Sequence, residues 1–409
     1  MEQTTFILID PLDTRPLWPL TQTRPVGELR LGIMTLFEKW KRMLNCTGSH
    51  LTQPYLSHKY PSNCSNQNYL IDGSLIPDLP LVESILNLDL GQCLVNTEGK
   101  FLGAFLNLKT MVDLIHSKNL NQHLDLTTYS NQILVYKNSI IKNLSNTWEV
   151  FQWNEEELIK DYQLLTKDRI SEPIDPSNRI FGTQVFIEAG AKVRGCMINS
   201  ETGPVYIAKN AEIMEGSMIR GPFALCEGST IKMGAKIYGA TTIGPHSKVG
   251  GEVNNSVILG NSNKAHDGFL GNAVVGEWCN IGADTNNSNL KNTYQEVKLW
   301  DYSKEGFRKT GTIFCGLILG DHVKCGINTM FNTGTVVGFG ANVFGSSFPR
   351  QFIPDFAWGG ASGFETFPFN KFLDTAKAVF SRRNAILSDL DISIYQHIFQ
   401  ITAPFRSWE

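Results

Sequence analysis

One of the eight histidines, His266, stands among regularly spaced polar residues. Glu252 lies fourteen residues before it and Asn280 lies fourteen residues after it. Because histidine has an unperturbed pKa of about 6.5, it can accept a proton from an attacking nucleophile at neutral pH. Histidine is also a common polar surface residue, so a purely structural interpretation competes with the chemical one. The chemical interpretation makes His266 a candidate general base.

Apolar residues recur at every sixth position through the second half of the chain, a spacing that suits neither a helix nor a long strand. The pattern predicts a left-handed parallel β-helix, a hexapeptide solenoid whose coils bury their apolar side chains against one another. The uninterrupted part of the series is Ile207, Ile213, Ile219, Leu225, Ile231, Ile237, Ile243 and Val249, and the series resumes at Phe269, Val275 and Ile281. Glycines beside these positions favour the tight corners of a three-sided prism.

The chain is too long, at 409 residues, for a single hydrophobic core, so we expect more than one domain. Residues 1–178 lack the repeat and alternate short apolar stretches with helical patterns, which predicts an abbreviated α/β domain with a linker helix. The solenoid is predicted at residues 179–348, with a non-repetitive insertion from about Asn286 to Thr312. Residues 349–409 are predicted to form a short helical C-terminal tail that packs on the solenoid or on a neighbouring subunit.

Three polar residues mark predicted helix starts. Asn154 precedes a run of glutamates, Asn370 precedes an apolar helical pattern, and Ser388 precedes another. Short polar side chains at such positions typically accept a hydrogen bond from the first turn of a helix.

The segment around His266 resembles the acetyltransferase half of the bifunctional bacterial enzymes that make UDP-N-acetylglucosamine. Enzymes of that family acetylate glucosamine 1-phosphate and then uridylylate the product. The resemblance covers about forty residues, and the family pattern of glutamate, histidine, asparagine, Ile-Gly-Ala and a further asparagine is matched without a gap by Glu252, His266, Asn280, Ala283 and Asn289.

This resemblance implies roles for the matched residues. It implies that His266 is the catalytic base and that Asn280 and Glu252 belong to the catalytic set. It further implies that Ala283 and Asn289 contact the co-substrate acetyl-CoA. A backbone N–H at a prism corner, such as that of Ala283, could stabilise the oxyanion of a tetrahedral intermediate. Family members of this kind form homotrimers, and a homotrimer or a dimer of trimers is therefore expected.

Two departures from the family pattern concern the phosphate of the acceptor. Asn254 stands where the family has a lysine, and Phe269 stands where it has a tyrosine. Since both family residues contact the sugar phosphate, the acceptor could differ here. Candidate replacement contacts in the insertion, each of which could equally be an ordinary solvated cation, are Lys291, Lys298, Arg308 and Lys309.

The front of the chain resembles, in degraded form, the start of sugar-phosphate nucleotidyltransferases. The matching pieces are Asp13-Thr14-Arg15, Pro19-Leu20-Thr21 and Arg24-Pro25. The glycines of the family's phosphate loop are absent, and proline and aspartate stand in their place, which disfavours a cradle of backbone N–H groups.

Charged residues of this front domain are candidates for binding a nucleoside triphosphate. Arg15, Arg24 and Arg30 could neutralise its phosphates. Asp72 follows an apolar stretch and resembles the family's metal-binding aspartate, which implies Mg²⁺ if the domain is active. The alternative interpretation of Asp72 is an Asp-Gly turn.

Composition excludes several classes of function. The net charge is −3, from 36 basic and 39 acidic residues, and no long charged run points to nucleic acid or to an anionic membrane. No apolar stretch is long enough to span a bilayer. Eight cysteines without a CxxC pair indicate small buried residues in a reducing compartment, so we expect a cytoplasmic protein.

The sequence therefore predicts a transferase in nucleotide-sugar synthesis. Its expected partners are a sugar phosphate, acetyl-CoA and, if the front domain is active, UTP. One alternative is an acetyltransferase with a non-catalytic front domain. A second is a metal-dependent prism like the γ-type carbonic anhydrases, for which three histidines, His246, His266 and His322, lie in the solenoid. A non-catalytic scaffold is a further alternative.

Overall fold

A computed structural model describes residues 4–116, 129–137 and 140–408. By its contacts the chain divides into two compact units. The first unit consists of Met1–Leu17, Thr23–Leu29 and Met34–Ser145. The second consists of Trp18–Gln22, Arg30–Ile33 and Asn146–Glu409. Among the described residues, no helix combines the length and the apolar character needed to cross a membrane.

The first unit is built on one six-stranded sheet. In spatial order its strands are Thr47–Leu51, Thr4–Ile9, Gln67–Asp72, Phe101–Asn107, Gln92–Val95 and Gln132–Val135. The second of these runs parallel to both of its neighbours, and its apolar residues are buried throughout, as expected for a central strand covered on both faces. The first unit also contains the helices α1 (Leu36–Leu44), α2 (Leu79–Leu86) and α3 (Leu108–His116). A short strand, Met34–Thr35, precedes α1.

A buried carboxylate, that of Asp10, lies at the end of the central strand. Its two oxygens accept the backbone N–H of Val26 at 2.8 Å and the hydroxyl of Thr52 at 2.5 Å. Burial raises the pKa of Asp10 to about 6, against the opposing effect of these two hydrogen bonds. Asp10 is not among the residues that the sequence patterns single out.

The second unit contains a three-walled parallel β-prism. The first wall is formed by Val185–Ile187, Val205–Ile207, Phe223–Leu225, Thr241–Ile243, Val257–Gly260, Val274–Glu277, Leu317–Leu319, Thr335–Val337 and Phe352–Ile353. The second wall is formed by Lys192–Val193, Glu212–Ile213, Thr230–Ile231, Lys248–Val249, Asn263–Lys264, Asn280–Ile281, Lys324–Cys325, Asn342–Val343, Ala357–Gly360 and Gly363–Thr366. The third is formed by Arg179–Phe181, Met197–Asn199, Met218–Arg220, Lys236–Tyr238, Glu252–Asn254 and Phe269–Gly271, with a separate pair, Asn286–Asn287 and Met330–Phe331.

The predicted apolar series lines the inside of the prism, and the parallel β-helix is confirmed. All eight residues from Ile207 to Val249 belong to one buried core cluster. The spacing then shortens, and the next inward residues are Val253, Ile258, Lys264 and Leu270. Phe269, which the six-residue spacing placed inside, is therefore one position out of register and pairs with Glu252 on the outer side.

Two helices, α4 (Glu149–Gln152) and α5 (Asn154–Thr166), belong to the second unit by contacts. The prediction that Asn154 caps α5 is wrong, because the cap position is Trp153 and makes no side-chain hydrogen bond. Asn154 is instead buried, accepts the N–H of Gly32 at 2.9 Å and donates to the carbonyl of Ala240 at 2.8 Å. This buried polar contact holds α5 against the first wall.

The prism continues beyond the predicted end at Phe348. Phe352–Ile353 and Ala357–Gly360 each pair in parallel with the preceding coil, and Gly363–Thr366 then turns back as an antiparallel strand. The insertion is also shorter than predicted, since Asn286–Asn287 still pairs with Met330–Phe331. It contains one antiparallel hairpin, Lys298–Asp301 with Gly306–Lys309.

The C-terminal tail forms α6 (Phe369–Ser381) and α7 (Asp389–Ile401). Ser388 caps α7 in a capping box with Asp391, as predicted. Asn370 does not cap α6, whose cap position is Pro368 and makes no side-chain hydrogen bond. The tail packs on the prism, because the ring of Phe380 stacks on that of Trp278 with centroids 4.0 Å apart.

Replacing Asp10 by Asn should change how the stability of the first unit depends on pH. The folded-state pKa of about 6 lies above the unfolded value of about 3.9. The stabilisation that goes with protonated Asp10 is thus complete below about pH 4 and lost as the pH rises through about 6. Asn does not titrate, so the Asp10→Asn variant lacks this loss. The free energy of unfolding of the variant, measured relative to the wild type, should therefore be about 2 to 3 kcal/mol higher at pH 7 than at pH 4. Denaturant titrations at pH 4 and pH 7 measure this difference, and parallel pH dependence in the two proteins would contradict it.

Candidate active site

His266 lies in the corner that joins the second wall to the third. The corner follows Asn263–Lys264 and ends at Gly268, whose φ is +114°. A Cβ at Gly268 would lie 2.2 Å from the carbonyl oxygen of Thr285 on the next coil, so only glycine allows this close approach. The side chain of His266 is exposed. Within the described residues, no group forms a hydrogen bond with its imidazole, which leaves both ring nitrogens available.

A cavity of about 400 Å³ opens in front of this histidine, and we call it the His266 cavity. Three of the residues that the sequence singled out, His266, Asn280 and Ala283, line it together. The other lining residues are Lys248, Asn263, Ala265, Ile281, Gly282, Ile327 and Arg382. The parallel register explains the meeting of residues far apart in the chain, because Asn263 pairs with Lys248 on one side and with Asn280 on the other. Neighbouring strands place paired residues about 4.8 Å apart.

Ala283 brings a backbone donor to the same cavity. Its carbonyl accepts the N–H of Asn328 at 2.8 Å, whereas its own N–H has no acceptor in the part of the chain that the structure describes. An N–H without a partner at the wall of a cavity is available to a developing oxyanion.

Lys264 is a functional candidate that the sequence reasoning missed. It occupies an inward position in the column of the second wall, paired with Val249, and only 2% of its surface is exposed. Burial lowers its pKa to about 8, although the carboxylates of Asp267 and Asp284 act in the opposite direction. Its ammonium donates to the backbone carbonyl of His266 at 2.7 Å. A lysine in an otherwise apolar column thereby fixes the backbone that carries the candidate base.

Space for this ammonium comes from Gly251 on the preceding coil. A Cβ there would lie 2.9 Å from the Lys264 nitrogen and 2.8 Å from the carbonyl oxygen of His266. The φ of Gly251 is +71°, a conformation that favours glycine. In sequence this glycine is indistinguishable from any other corner glycine of the repeat.

Glu252 and Asn289 do not line the His266 cavity. Glu252 lies on the third wall, where it accepts the hydroxyl of Tyr238 at 2.6 Å and lies 3.7 Å from the ammonium of Lys236. Asn289 donates its side-chain amide to Asn272 at 2.7 Å.

The basic residues of the insertion are engaged within the hairpin region rather than at the cavity. Lys291 donates to the carbonyl of Glu296 at 2.9 Å, and Lys309 lies 3.5 Å from the carboxylate of the same residue. Arg308 lies 3.5 Å from Asp301. Lys298 pairs with Lys309 across the hairpin. None of the four lines the His266 cavity.

In the first unit, Asp72 lies at the carboxyl end of its strand, paired with Ile9 on the central strand. One carboxylate oxygen accepts both the N–H and the hydroxyl of Ser74, at 2.9 and 2.7 Å. The other lies 4.0 Å from the ammonium of Lys100. Burial raises the pKa of Asp72, and the Ser74 and Lys100 contacts oppose that effect. The oxygen that faces Lys100 is the one available to a cation.

Each of the three candidate phosphate-binding arginines contacts different groups of the protein. Arg15 forms a two-point ion pair with Asp13, at 2.9 Å for each contact. Arg24 is buried and donates to the hydroxyl of Thr23 at 3.2 Å. Arg30 belongs to the second unit and donates to the carbonyls of Ile33 and Leu259. Arg15 is thus the most exposed of the three.

The three prism histidines do not form a metal site within the chain. His322 is buried and its Nε2 lies 2.9 Å from the hydroxyl of Tyr395, inside an aromatic cluster. Across residues 4–116, 129–137 and 140–408, no group of three or more His, Cys, Asp or Glu side chains is arranged to hold a metal ion.

Parts of the chain are similar to known proteins. Residues 6–170 match the family model described as sugar nucleotidyl transferase. Bifunctional protein GlmU of Synechococcus elongatus is 27% identical over 185 residues, which cover 42% of this chain and 36% of that protein. The bifunctional sugar-1-phosphate nucleotidylyltransferase/acetyltransferase of Sulfurisphaera tokodaii is 33% identical over 145 residues, which cover 35% of each protein.

The similarity is partial, because the chain spans only about a third of the length of these two relatives. Among solved structures, the UDP-N-acetylglucosamine acyltransferase from Campylobacter jejuni superposes with a TM-score of 0.28 and 14% identity, over 57% of this chain and 83% of that one. A superposition that loose says nothing about chemistry. Residues 6–170 are thus similar to sugar nucleotidyl transferases, and parts of the chain are similar to bifunctional sugar-1-phosphate nucleotidylyltransferase/acetyltransferases.

Proposed function

We propose that the chain transfers an acetyl group from acetyl-CoA to the amine of an amino-sugar 1-phosphate, and then a uridylyl or other nucleotidyl group to the product. The observation that carries the proposal is the meeting of His266, Asn280 and the unpaired N–H of Ala283 at one cavity. The names of the relatives, which include a sugar-1-phosphate nucleotidylyltransferase/acetyltransferase, support this pair of activities.

In the proposed acetyl transfer, the amine nitrogen attacks the thioester carbonyl and His266 accepts the proton that the nitrogen loses. The Ala283 N–H stabilises the negative charge on the carbonyl oxygen as the tetrahedral intermediate forms. The carbon–sulfur bond then breaks, and the histidine returns its proton to the departing thiolate. In this proposal Asn280 orients the acceptor, and this role is supported by its position in the lining of the same cavity, where its side-chain oxygen lies 3.5 Å from the amide nitrogen of Asn263.

In the proposed nucleotidyl transfer, Asp72 holds Mg²⁺ through the oxygen that faces Lys100, with Arg15 and Arg24 as candidate contacts for the triphosphate. The fit is reasonable because Mg²⁺ is commonly bound by one or two protein carboxylates together with substrate phosphates, and so does not need a complete protein cage. The metal would neutralise the phosphates and position them for attack by the sugar phosphate. Asp10 is not a ligand in this scheme, because both of its oxygens accept protein hydrogen bonds.

We further propose that the chain forms a homotrimer, alone or as a dimer of trimers, in the cytoplasm. An open groove of about 500 Å³ on the third wall is lined by Phe181, Met197 and Met218, each at least 41% exposed. An apolar sheet face of this kind suits burial against another copy. All eight cysteines are free thiols, which is consistent with a reducing compartment.

Replacing His266 by Ala should reduce acetyl transfer at least about 100-fold, because general-base catalysis typically contributes that much. Release of the CoA thiol in the presence of glucosamine 1-phosphate measures the rate. The matched control is His246→Asn, an exposed prism histidine at φ +56°, where asparagine is well tolerated. Equal loss in both variants, or no loss in the first, would exclude His266 as the base.

Replacing Asp72 by Asn should abolish pyrophosphate release from UTP and N-acetylglucosamine 1-phosphate while acetyl transfer continues. The amide keeps the hydrogen bonds to Ser74 through its oxygen but removes the negative charge that would hold Mg²⁺. A pyrophosphate-release assay gives the readout. If the wild type shows no UTP turnover, the front domain is non-catalytic and only the acetyltransferase part of the proposal survives.

Replacing Lys264 by Met should separate stability from activity. An uncharged side chain of similar length suits the apolar column, so the free energy of unfolding at pH 7 should rise by about 1 to 3 kcal/mol. The carbonyl of His266 loses its donor, so kcat for acetyl transfer should fall about tenfold or more. Denaturant unfolding and thiol release measure the two effects. Unchanged kcat would show that the lysine does not position the base, and loss of both stability and activity would show that it serves only the fold.

A further inference from the structure

A second cavity, of about 330 Å³, adjoins the His266 cavity on the outer face of the second wall, and we call it the cationic cleft. Its lining residues are Lys248, Asn261, Asn263, Trp278, Cys279, Asn280, Lys324, Val379, Arg382 and Arg383. The wall contributes one in-register column to the cleft, in which Lys248, Asn263, Asn280 and Lys324 lie side by side on successive coils. The end of α6 contributes the two arginines.

The cleft is positively charged and has no carboxylate in its lining. Within the described part of the chain, neither Lys248 nor Arg382 has an ion-pair partner. The pKa of Arg383 is lowered by burial and by the neighbouring charge of Arg382. Four cations grouped in this way repel one another, and a bound anion would relieve that repulsion.

Lys324 is the most enclosed of these cations. Burial lowers its pKa to about 8, although the carboxylate of Asp321 favours the charged form. Its ammonium donates to the carbonyls of Trp278 and His322 at 2.7 and 3.0 Å. An ammonium has three donors, so one N–H is left for a ligand in the cleft. Asp321 itself accepts the N–H of Glu277 at 2.7 Å and does not line the cleft.

The contribution of α6 is held in place by specific contacts. Arg383 donates to the carbonyl of His246 at 2.6 Å and to the side chain of Asn263 at 2.9 Å. Phe380, one turn earlier, stacks on Trp278. These contacts fix the end of the helix, so the adjacent exposed Arg382 is presented at a defined position above the wall.

We propose that the cationic cleft binds a phosphate group of a substrate of the acetyl transfer. The two cavities share Lys248, Asn263, Asn280 and Arg382, so a phosphate in the cleft lies close to the reacting amine. An amino sugar with its amine and phosphate on adjacent ring carbons fits that arrangement. The second candidate occupant of the cleft is a phosphate group of CoA. In CoA the phosphates are separated from the thioester by the long pantetheine chain. The choice of substrates rests on the proposed function, whereas anion binding itself does not.

The test compares Arg382→Gln and Lys248→Gln with the matched control Lys377→Gln, which removes an exposed cation of α6 outside the cleft. Loss of one charge-assisted contact to phosphate should raise the KM for glucosamine 1-phosphate about tenfold in the first two variants. The KM for acetyl-CoA should stay unchanged, and the control should match the wild type. A rise in the KM for acetyl-CoA instead would assign the cleft to the CoA phosphates. Unchanged values of KM for both substrates would overturn the proposal.

A binding measurement separates this proposal from the proposed function. Calorimetric titration of the full chain with inorganic pyrophosphate should show binding that is weakened about tenfold in Arg382→Gln and Lys248→Gln and unaltered in Lys377→Gln. If pyrophosphate binds in this way but the protein shows no acetyl transfer, the cleft is a phosphate site and the proposed reaction is wrong. Equal affinity in all four proteins would overturn the cleft as a phosphate site, even if acetyl transfer is observed.

Discussion

The stacking of coils in register is the constraint on which the rest of the second unit depends. Each inward side chain must rest on the side chain of the coil below, and each outward side chain must stand beside its counterpart. The register that stacks Ile213, Ile231 and Val249 inside the prism also sets Lys248, Asn263 and Asn280 side by side outside it. Residues fifteen or more positions apart in sequence thus form one surface. The stacking of the coils brings them together, and no pattern in the residues themselves is needed.

The same constraint explains why one lysine can lie inside the prism. An unpaired buried ammonium is costly, but Lys264 reaches a carbonyl at the corner, and Gly251 leaves space for it. A column filled only with apolar residues would be more stable and would leave the His266 corner without this anchor. The placement is typical of functional sites, where a protein departs from the local rule and gives up some stability.

The sequence was most informative where the repeat is regular. The series from Ile207 to Val249 predicted the prism, and the register of His266, Asn280 and Ala283 predicted three residues that line one cavity. After Val249 the spacing shortens, and a strict six-residue repeat therefore predicts the wrong inward residues. It predicts that Phe269 points inward, whereas Phe269 lies on the outer side and Lys264 occupies an inward position. Contacts between distant segments leave no local pattern in the sequence. The sequence around Asn154 therefore indicates only a helix cap, and nothing in the sequence connects Arg382 with the cavity in front of His266. The hydrogen bond from the hydroxyl of Tyr238 to Glu252 is not predictable from the sequence for the same reason.

Amine acetylation at the cavity in front of His266 is the activity that we propose, and CoA thiol release by the purified full chain measures it. With acetyl-CoA, glucosamine 1-phosphate and its unphosphorylated analogue, we expect thiol release that depends on the amine and is strongly favoured by the phosphate. Thiol release that is absent with every amino sugar, or that is equal with and without the phosphate, would contradict the account.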